Sequence, residues 1–137
     1  MCQPQSRRII IVDDEPVIAD TLATILRNSG YDALPFYNGK SALEAARFSA
    51  PDLLISDVTM PGLSGLDLAI LMRKHCPRCK ILLFSGLSRS FDLVEEARRK
   101  GHHFEILEKP FSPALLLRKI DVAWSDDSPV QLHKARR

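Results

Sequence analysis

Five side chains that could carry chemistry each follow a short apolar run of the sequence. They are two adjacent acids, a third acid, a hydroxyl and an amine: Asp13, Asp14, Asp57, Ser85 and Lys109. A single acid at the end of an apolar run is usually a cap or turn residue. Five reactive groups at the ends of several such runs are a different matter, because a regular fold could bring them together.

The apolar runs alternate with helical patterns along the whole chain. Pro35 places the second strand at an edge of the sheet, because proline cannot donate to a strand ladder. Strict alternation predicts an α/β fold, a three-layer sandwich with a five-stranded parallel sheet, right-handed crossovers and helices on both faces. The predicted strands cover residues 8–12, 31–36, 53–57, 80–84 and 104–107, and the helices begin near Pro16, Asn38, Ser64, Ser90 and Ser112, the last ending near Trp124.

Ligands of an open parallel sheet bind outside the carboxyl ends of its strands, where these five groups are predicted to lie. Three carboxylates at one edge repel each other unless a cation lies among them. Ligands that are all oxygen indicate a hard ion, Mg²⁺ or in its place Mn²⁺. Asp57 is the candidate nucleophile, because carboxylates form aspartyl phosphates. Lys109 and the Ser85 hydroxyl are candidate partners of the phosphoryl oxygens.

These residues resemble a known family, the receiver domain of two-component response regulators. The resemblance runs from about Ile9 to Trp124. Its motifs are Asp13-Asp14, Ser56-Asp57-Val58-Thr59-Met60-Pro61-Gly62, Ser85-Gly86 and Lys109-Pro110-Phe111. It implies a flavodoxin-like fold with strand order 2-1-3-4-5. It also implies that Asp57 accepts a phosphoryl group from the phosphohistidine of a histidine kinase or phosphotransfer protein.

By the same resemblance, further residues acquire roles around Asp57. The metal is held by Asp13, Asp14, Asp57 and the backbone carbonyl of Thr59. Ser85 and Lys109 bind the phosphoryl oxygens, and the Lys109–Pro110 peptide is expected to be cis. Residues that modulate the site or tune the lifetime of the acyl phosphate are Thr59, Gly86, Arg89 and Pro110.

One departure from the family concerns the readout of phosphorylation. Ile106 stands three residues before the lysine, where the family usually has a tyrosine or phenylalanine whose swinging ring reports phosphorylation. The segment 101–109 is also one residue longer than usual. Phe104 is two residues before Ile106, so strand alternation places both side chains on one face. The usual aromatic readout is therefore in question, although phosphorylation is not.

Composition sets the boundaries of the prediction. The 137 residues are 45% hydrophobic with a formal net charge of +2, which suits one domain and argues neither for nor against nucleic acid. No apolar run approaches the ~20 residues that cross a bilayer. We expect a cytoplasmic receiver domain at 8–125 between flexible ends at 1–7 and 126–137. Since thirteen residues follow Trp124, we expect a stand-alone receiver of the chemotaxis type that does not itself bind nucleic acid or membrane.

The output is expected to be a protein contact. Leu115, Leu116 and Leu117 cover more than one face of the last helix. With the fourth helix and fifth strand, this face is predicted to dock a target protein or a second copy when Asp57 is phosphorylated. The chain is expected not to be an enzyme beyond its own phosphorylation and dephosphorylation.

Three other interpretations compete for particular residues. A phosphatase or mutase with an aspartate nucleophile would need a second aspartate where Thr59 stands. A pseudo-receiver, a protein-binding module that never takes phosphate, is the main alternative.

Cys76 and Cys79 could be a redox pair or half a zinc site, but no second pair supplies four ligands. They also follow a predicted helix rather than begin one. We predict two reduced thiols in a surface loop.

Overall fold

The computed structural model describes residues 7–86 and 88–125, with the side chains of 88–91 left out. The sheet has five parallel strands in the order β2-β1-β3-β4-β5. The flavodoxin-like fold and strand order are therefore confirmed. The elements are β1 Arg8–Val12, α1 Pro16–Asn28, β2 Asp32–Phe36, α2 Gly39–Phe48, β3 Leu53–Asp57, α3 Gly65–His75, β4 Lys80–Ser85, α4 Ser88–Arg99, β5 Glu105–Glu108 and α5 Pro113–Ser125.

The central strands are buried on both faces, which explains their continuous apolar sequences. Strand residues alternate between the two faces, so each face has its own core. One core joins β1 and β3 to α1 and α5, through residues such as Ile11, Leu26 and Leu116. The other face packs against α2 and α3, with a further cluster beneath α4. Helices thus pack against both faces of the sheet and support the strands whose carboxyl ends carry the predicted site residues.

Local sequence signals set most helix ends. Asn38 and Ser64 each cap a helix, accepting hydrogen bonds from Ser41 N at 2.8 Å and Asp67 N at 3.0 Å. Ser112 does the same for Leu115 N at 3.1 Å. Pro16 is the first residue of α1, where its missing N–H costs nothing. These starts were predicted, and β2 lies at the sheet edge as Pro35 indicated.

Two local predictions are wrong. The fourth helix begins at Ser88, so Ser90 lies inside it and does not precede it as a cap. Cys76 and Cys79 are not in an exposed surface loop, since they are only 9% and 7% exposed. They are reduced, and they pack in the core formed with α2 and α3. The turn between them closes with a hydrogen bond from Cys79 N to Cys76 O at 2.9 Å, and Cys76 Sγ lies 4.0 Å from Ala46 O on α2.

Some predictions fall on residues that the structure leaves undescribed. Of the flexible ends predicted at 1–7 and 126–137, only Arg7 is described: its carbonyl oxygen accepts a hydrogen bond from Asp32 N at 2.9 Å, and its guanidinium lies 4.2 Å from the centroid of the Trp124 ring. The side chain of Arg89 also lies outside the described residues. Within 7–86 and 88–125, every helix is too short or too polar to cross a bilayer.

Candidate functional site

The five predicted side chains come from four adjacent strand ends. Asp13 follows β1, Asp57 ends β3, Ser85 ends β4 and Lys109 follows β5. Carboxylate oxygens of Asp13, Asp14 and Asp57 all lie within 4.8 Å of one another. The structure therefore brings the three acids together at the carboxyl edge of the sheet, as the sequence predicts.

The two adjacent acids have different environments. Asp13 is fully buried, whereas Asp14 is exposed. Oδ1 of Asp13 accepts a hydrogen bond from the Glu15 backbone N–H at 2.8 Å. Oδ2 is buried and accepts no hydrogen bond from the described residues. Burial raises the pKa of Asp13, and the Glu15 N–H and the charge of Lys109 only partly oppose this. An orphaned, buried carboxylate oxygen is what a cation at this position would satisfy.

Lys109 is the cation that the structure places among the acids. Its Nζ donates to Asp57 Oδ2 at 3.1 Å and lies 3.6 Å from Asp13 Oδ2. The ammonium also lies 4.8 Å from the centroid of the Phe84 ring. Phe84 in turn meets Phe111 edge to face at 5.8 Å between centroids. An aromatic floor thus limits where the lysine can go and directs it towards Asp57.

The backbone around Lys109 is held to the neighbouring strand end. Lys109 N donates to Ser85 O at 2.9 Å, and the Lys109–Pro110 peptide is cis, as expected. A Cβ on Gly86 would lie 3.3 Å from Lys109 Cδ. Gly86 therefore lets the lysine side chain pass closely over the β4 end. Ser85 is half-buried at that end, and its contact with a phosphoryl oxygen stays a prediction.

Asp57 itself is reachable from solvent. Its side chain is 14% exposed, and Oδ1 accepts a hydrogen bond from Thr59 N at 3.2 Å. Val58 N donates to Phe84 O at 3.0 Å, which continues the β3–β4 ladder past the acid. Thr59 is exposed beside the carboxylate. Thr59 is thus in place to influence access to Asp57, while the predicted role of its carbonyl as a metal ligand stays a prediction.

Gly65 supports the site from below and was missed by the sequence analysis. A Cβ on Gly65 would lie 1.6 Å from the Asp57 carbonyl oxygen and 2.7 Å from Ser56 Oγ. Gly65 N donates to Val58 O at 2.8 Å, and buried Ser56 Oγ donates to Asp57 O at 2.9 Å. The first turn of α3 therefore sits directly on the Asp57 peptide. The available signal was a glycine placed immediately after the Ser64 cap.

The structure also shows the surroundings of Ile106, the residue that departs from the family pattern. Phe104 and Ile106 pack in one cluster with Leu83 and Val94, so their predicted common face is confirmed. The Arg73 guanidinium stacks over the Phe104 ring at 4.0 Å. No aromatic side chain occupies position 106.

The donor set fits a hard divalent cation. The clustered side-chain ligands in the described ranges are carboxylates, and one of their oxygens is orphaned and buried. Such ligands suit Mg²⁺ or Mn²⁺ rather than Zn²⁺. Asp13, Asp14 and Asp57 could hold such an ion beside Lys109.

Comparison with known proteins agrees with this fold. The family model described as "Response regulator receiver domain" matches residues 9–121. The chain belongs to the family of response regulator receiver domains.

Two curated relatives come from Mycobacterium tuberculosis. The transcriptional regulatory protein PdtaR is 38% identical over 122 residues, which is 87% of this chain and 57% of that protein. The probable transcriptional regulatory protein TcrX is 34% identical over 104 residues, 76% of this chain and 44% of that protein. The chain thus spans about half the length of these curated relatives.

Among solved structures, a response regulator receiver domain protein from Clostridium thermocellum superposes with a TM-score of 0.76. It is 27% identical, and the match covers 85% of this chain and 93% of that one. This likeness supports the assignment to the family from the fold as well as from the sequence.

Proposed function

We propose that this chain is the phosphoacceptor of a two-component phosphorelay. A carboxylate oxygen of Asp57 forms a bond to phosphorus while the bond from phosphorus to the nitrogen of a phosphohistidine breaks. The donor is a histidine kinase or a phosphotransfer protein. The observation that carries this proposal is the position of Asp57, reachable from solvent, paired with Lys109 at 3.1 Å and flanked by two further acids.

The proposed cofactor is Mg²⁺, with Mn²⁺ as a substitute. Asp13, Asp14, Asp57 and the Thr59 carbonyl would hold it, and when bound it would neutralise charge on the transferring phosphoryl group. The orphaned Oδ2 of Asp13 supports this proposal, because a buried oxygen without a hydrogen bond needs a partner.

The remaining residues have proposed roles in binding the phosphoryl group. Lys109 exchanges its contact with Asp57 Oδ2 for a phosphoryl oxygen, and the Ser85 hydroxyl donates to another. Gly86 keeps the space that the lysine needs, and Pro110 fixes the turn that follows it. Thr59 tunes access of water to the acyl phosphate. In this proposal the chain catalyses only its own phosphorylation and dephosphorylation.

Acetyl phosphate tests the phosphoacceptor proposal without knowledge of the donor. With Mg²⁺, wild type should gain the mass of one phosphoryl group, and Asp57→Asn should gain none. Asp52→Asn is a matched control, because Asp52 lies at the opposite end of β3 and should leave labelling intact. No adduct on folded wild type would favour the alternative, a pseudo-receiver that binds proteins without being phosphorylated.

The proposed output is a change in the protein surface formed by α4, β5 and α5. Aspartyl phosphate adds roughly two negative charges at one point, and this shifts the population of that face. In α5, Leu116 is buried while Leu115 and Leu117 are partly buried, so part of the leucine run supports the core. Ile106 replaces the usual aromatic side chain, so the shift proceeds here without a swinging ring at that position.

A second copy is the first partner to test for this surface. Sedimentation with and without beryllofluoride, which mimics the phosphoryl group, should show a larger species only in its presence. An unchanged monomer would leave only other proteins as partners of the face.

The stand-alone, cytoplasmic receiver of the chemotaxis type is proposed as one of two arrangements. The other is a receiver that controls an attached effector, since PdtaR and TcrX bear the names of transcriptional regulators and are about twice as long as the match. The size of the native protein on an immunoblot distinguishes them. A band at the size of this chain supports the stand-alone receiver, and a band about twice as large supports the attached effector.

A further inference from the structure

A cavity of about 320 Å³ opens at the amino-terminal ends of the strands, at the opposite end of the sheet from Asp57. The first residues of β3, β4 and β5 border it, with the end of α3 on one side and the last turns of α5 on the other. Its volume is at the lower end of the range for small-ligand pockets. Nothing in the proposed phosphoryl chemistry uses this cavity.

The floor and the rim of the cavity differ in character. The floor is apolar and includes the buried side chains of Leu53, Leu82 and Ile120. The rim carries charged side chains, among them Glu105 and Lys119, which pair with each other at 2.8 Å. An apolar floor with a few convergent polar groups is the usual build of a small-molecule site.

Arg73 is the rim residue that indicates the charge of the ligand. Its Nη2 donates to the His103 carbonyl oxygen at 2.5 Å, and its guanidinium stacks over the Phe104 ring at 4.0 Å. Both partners are uncharged, and in the described part of the chain no carboxylate pairs with this guanidinium. Arg73 is an exposed residue, and partial burial of its guanidinium lowers its pKa. The guanidinium keeps unused N–H donors in a planar fork that suits an anion.

We propose that this cavity is a second ligand site, which takes a small amphipathic anion. The apolar body of the ligand lies on the floor of Leu53, Leu82 and Ile120, and its carboxylate, sulfonate or phosphate group binds the Arg73 guanidinium. Since Arg73 also holds His103 and Phe104, occupancy changes the contacts of the segment that leads into β5. The site is independent of Asp57, so its test and that of the phosphoacceptor proposal can fail separately.

Naphthalene-2-sulfonate is the probe, titrated into the ¹⁵N-labelled full chain at constant ionic strength. Amide shifts should saturate and cluster around the cavity, including those of His103 and Phe104. Arg73→Gln should weaken binding by about tenfold, the effect of losing one charge-assisted contact. Lys74→Gln is the matched control, because it removes a neighbouring charge on α3 that does not line the cavity. Binding of neutral naphthalene-2-methanol should be the same in wild type and Arg73→Gln.

Two further variants test the location without removing charge. Ala123→Phe fills the cavity, and Val122→Trp covers its mouth from an exposed position, so each should abolish binding of the probe. A dispersed amide spectrum shows whether each variant is folded. The proposal is overturned by shifts that never saturate, by equal weakening in Arg73→Gln and Lys74→Gln, or by unchanged binding in a folded variant at position 122 or 123.

Discussion

The ammonium nitrogen of Lys109 lies 3.1 Å from Oδ2 of Asp57, across the carboxyl ends of two strands that are not neighbours. The lysine side chain is 26% exposed and the aspartate 14%, so water screens this pair only in part. The same ammonium lies 3.6 Å from Asp13 Oδ2. One cation thus balances two of the three acids in the absence of a metal.

Lys109→Met should therefore destabilise the fold as well as impair phosphorylation. The change leaves Asp13 and Asp57 close together without their cation, and we expect a loss of about 1–3 kcal/mol in the free energy of unfolding at neutral pH. Urea denaturation measures it. Lys100→Met is the control, because Lys100 pairs with Glu96 at 3.3 Å on an exposed helix face and should cost under about 0.5 kcal/mol. Equal losses in the two variants would contradict this account of Lys109.

Asp13→Asn should make the protein more stable in EDTA, by about 1 kcal/mol, because it removes a buried charge with an orphaned oxygen. Burial raises the native pKa of Asp13 above the ordinary 3.8. The native state thus holds this proton more tightly, and stability falls as the pH rises from about 3.8 through the native pKa. Asp13→Asn should remove this fall in stability with rising pH, because asparagine does not titrate.

Asp13→Asn should also lose the stabilisation that Mg²⁺ gives to the folded protein. The measurement is the change in the midpoint of urea denaturation when the metal is added. Wild type should be stabilised and Asp13→Asn should not. Asp14→Asn gives the comparison in EDTA, where replacing an exposed acid should change stability by less than about 0.5 kcal/mol. A destabilised Asp13→Asn in EDTA would show that the buried charge is better compensated than the structure indicates.

Gly65→Ala should disrupt both the fold and the site. The new Cβ would lie 1.6 Å from the Asp57 carbonyl oxygen, so α3 or the end of β3 must move, at about 3 kcal/mol or more. Thermal or urea unfolding measures the loss. Gly86→Ala serves for comparison, since its Cβ meets only the flexible Lys109 side chain at 3.3 Å and should cost less than about 1 kcal/mol. A normally stable Gly65→Ala would mean that α3 can shift freely beneath Asp57.

Cys79 should be unreactive in the native protein. Burial raises the pKa of its thiol from 9.0 to about 12, with a smaller effect from nearby Cys76. At pH 8, iodoacetamide should therefore modify native Cys79 at least about a hundredfold more slowly than in urea, as peptide mass spectrometry can show. Between pH 9 and 12 the unfolded thiol loses its proton first, so stability falls with pH, and Cys79→Ala should remove that part of the loss. Equal labelling rates in the native and unfolded states would contradict the burial.

The alternation of strands and helices and the five reactive groups could be predicted because both depend on local patterns, whereas the strand order 2-1-3-4-5 followed only from the resemblance to receiver domains. Apolar runs, caps such as Asn38 and Ser64, and the chain order of the motifs carry that information. Packing between distant segments does not appear in such patterns. The sequence Asp13-Asp14 does not show which of the two acids is buried. The close contact of Gly65 with Asp57 depends on how α3 packs against the end of β3.

The wrong prediction for the cysteines has a cause that lies outside the local sequence. The Cys76–Cys79 turn contains proline and arginine and reads as exposed, yet Cys76 Sγ lies 4.0 Å from Ala46 O on α2. Tertiary contacts therefore override local preference at the cysteine turn. The start of α4 was placed near Ser90, whereas the helix begins two residues earlier, at Ser88.

The central claim is that Asp57 is the acid that carries the phosphoryl group. After treatment with acetyl phosphate and Mg²⁺, borohydride reduces an acyl phosphate to an alcohol, and peptide mass spectrometry then locates the reduced residue. The account predicts reduction at position 57 alone, absent without acetyl phosphate and absent without Mg²⁺. Reduction at Asp13, Asp14 or another acid, or at none in folded protein, would contradict it.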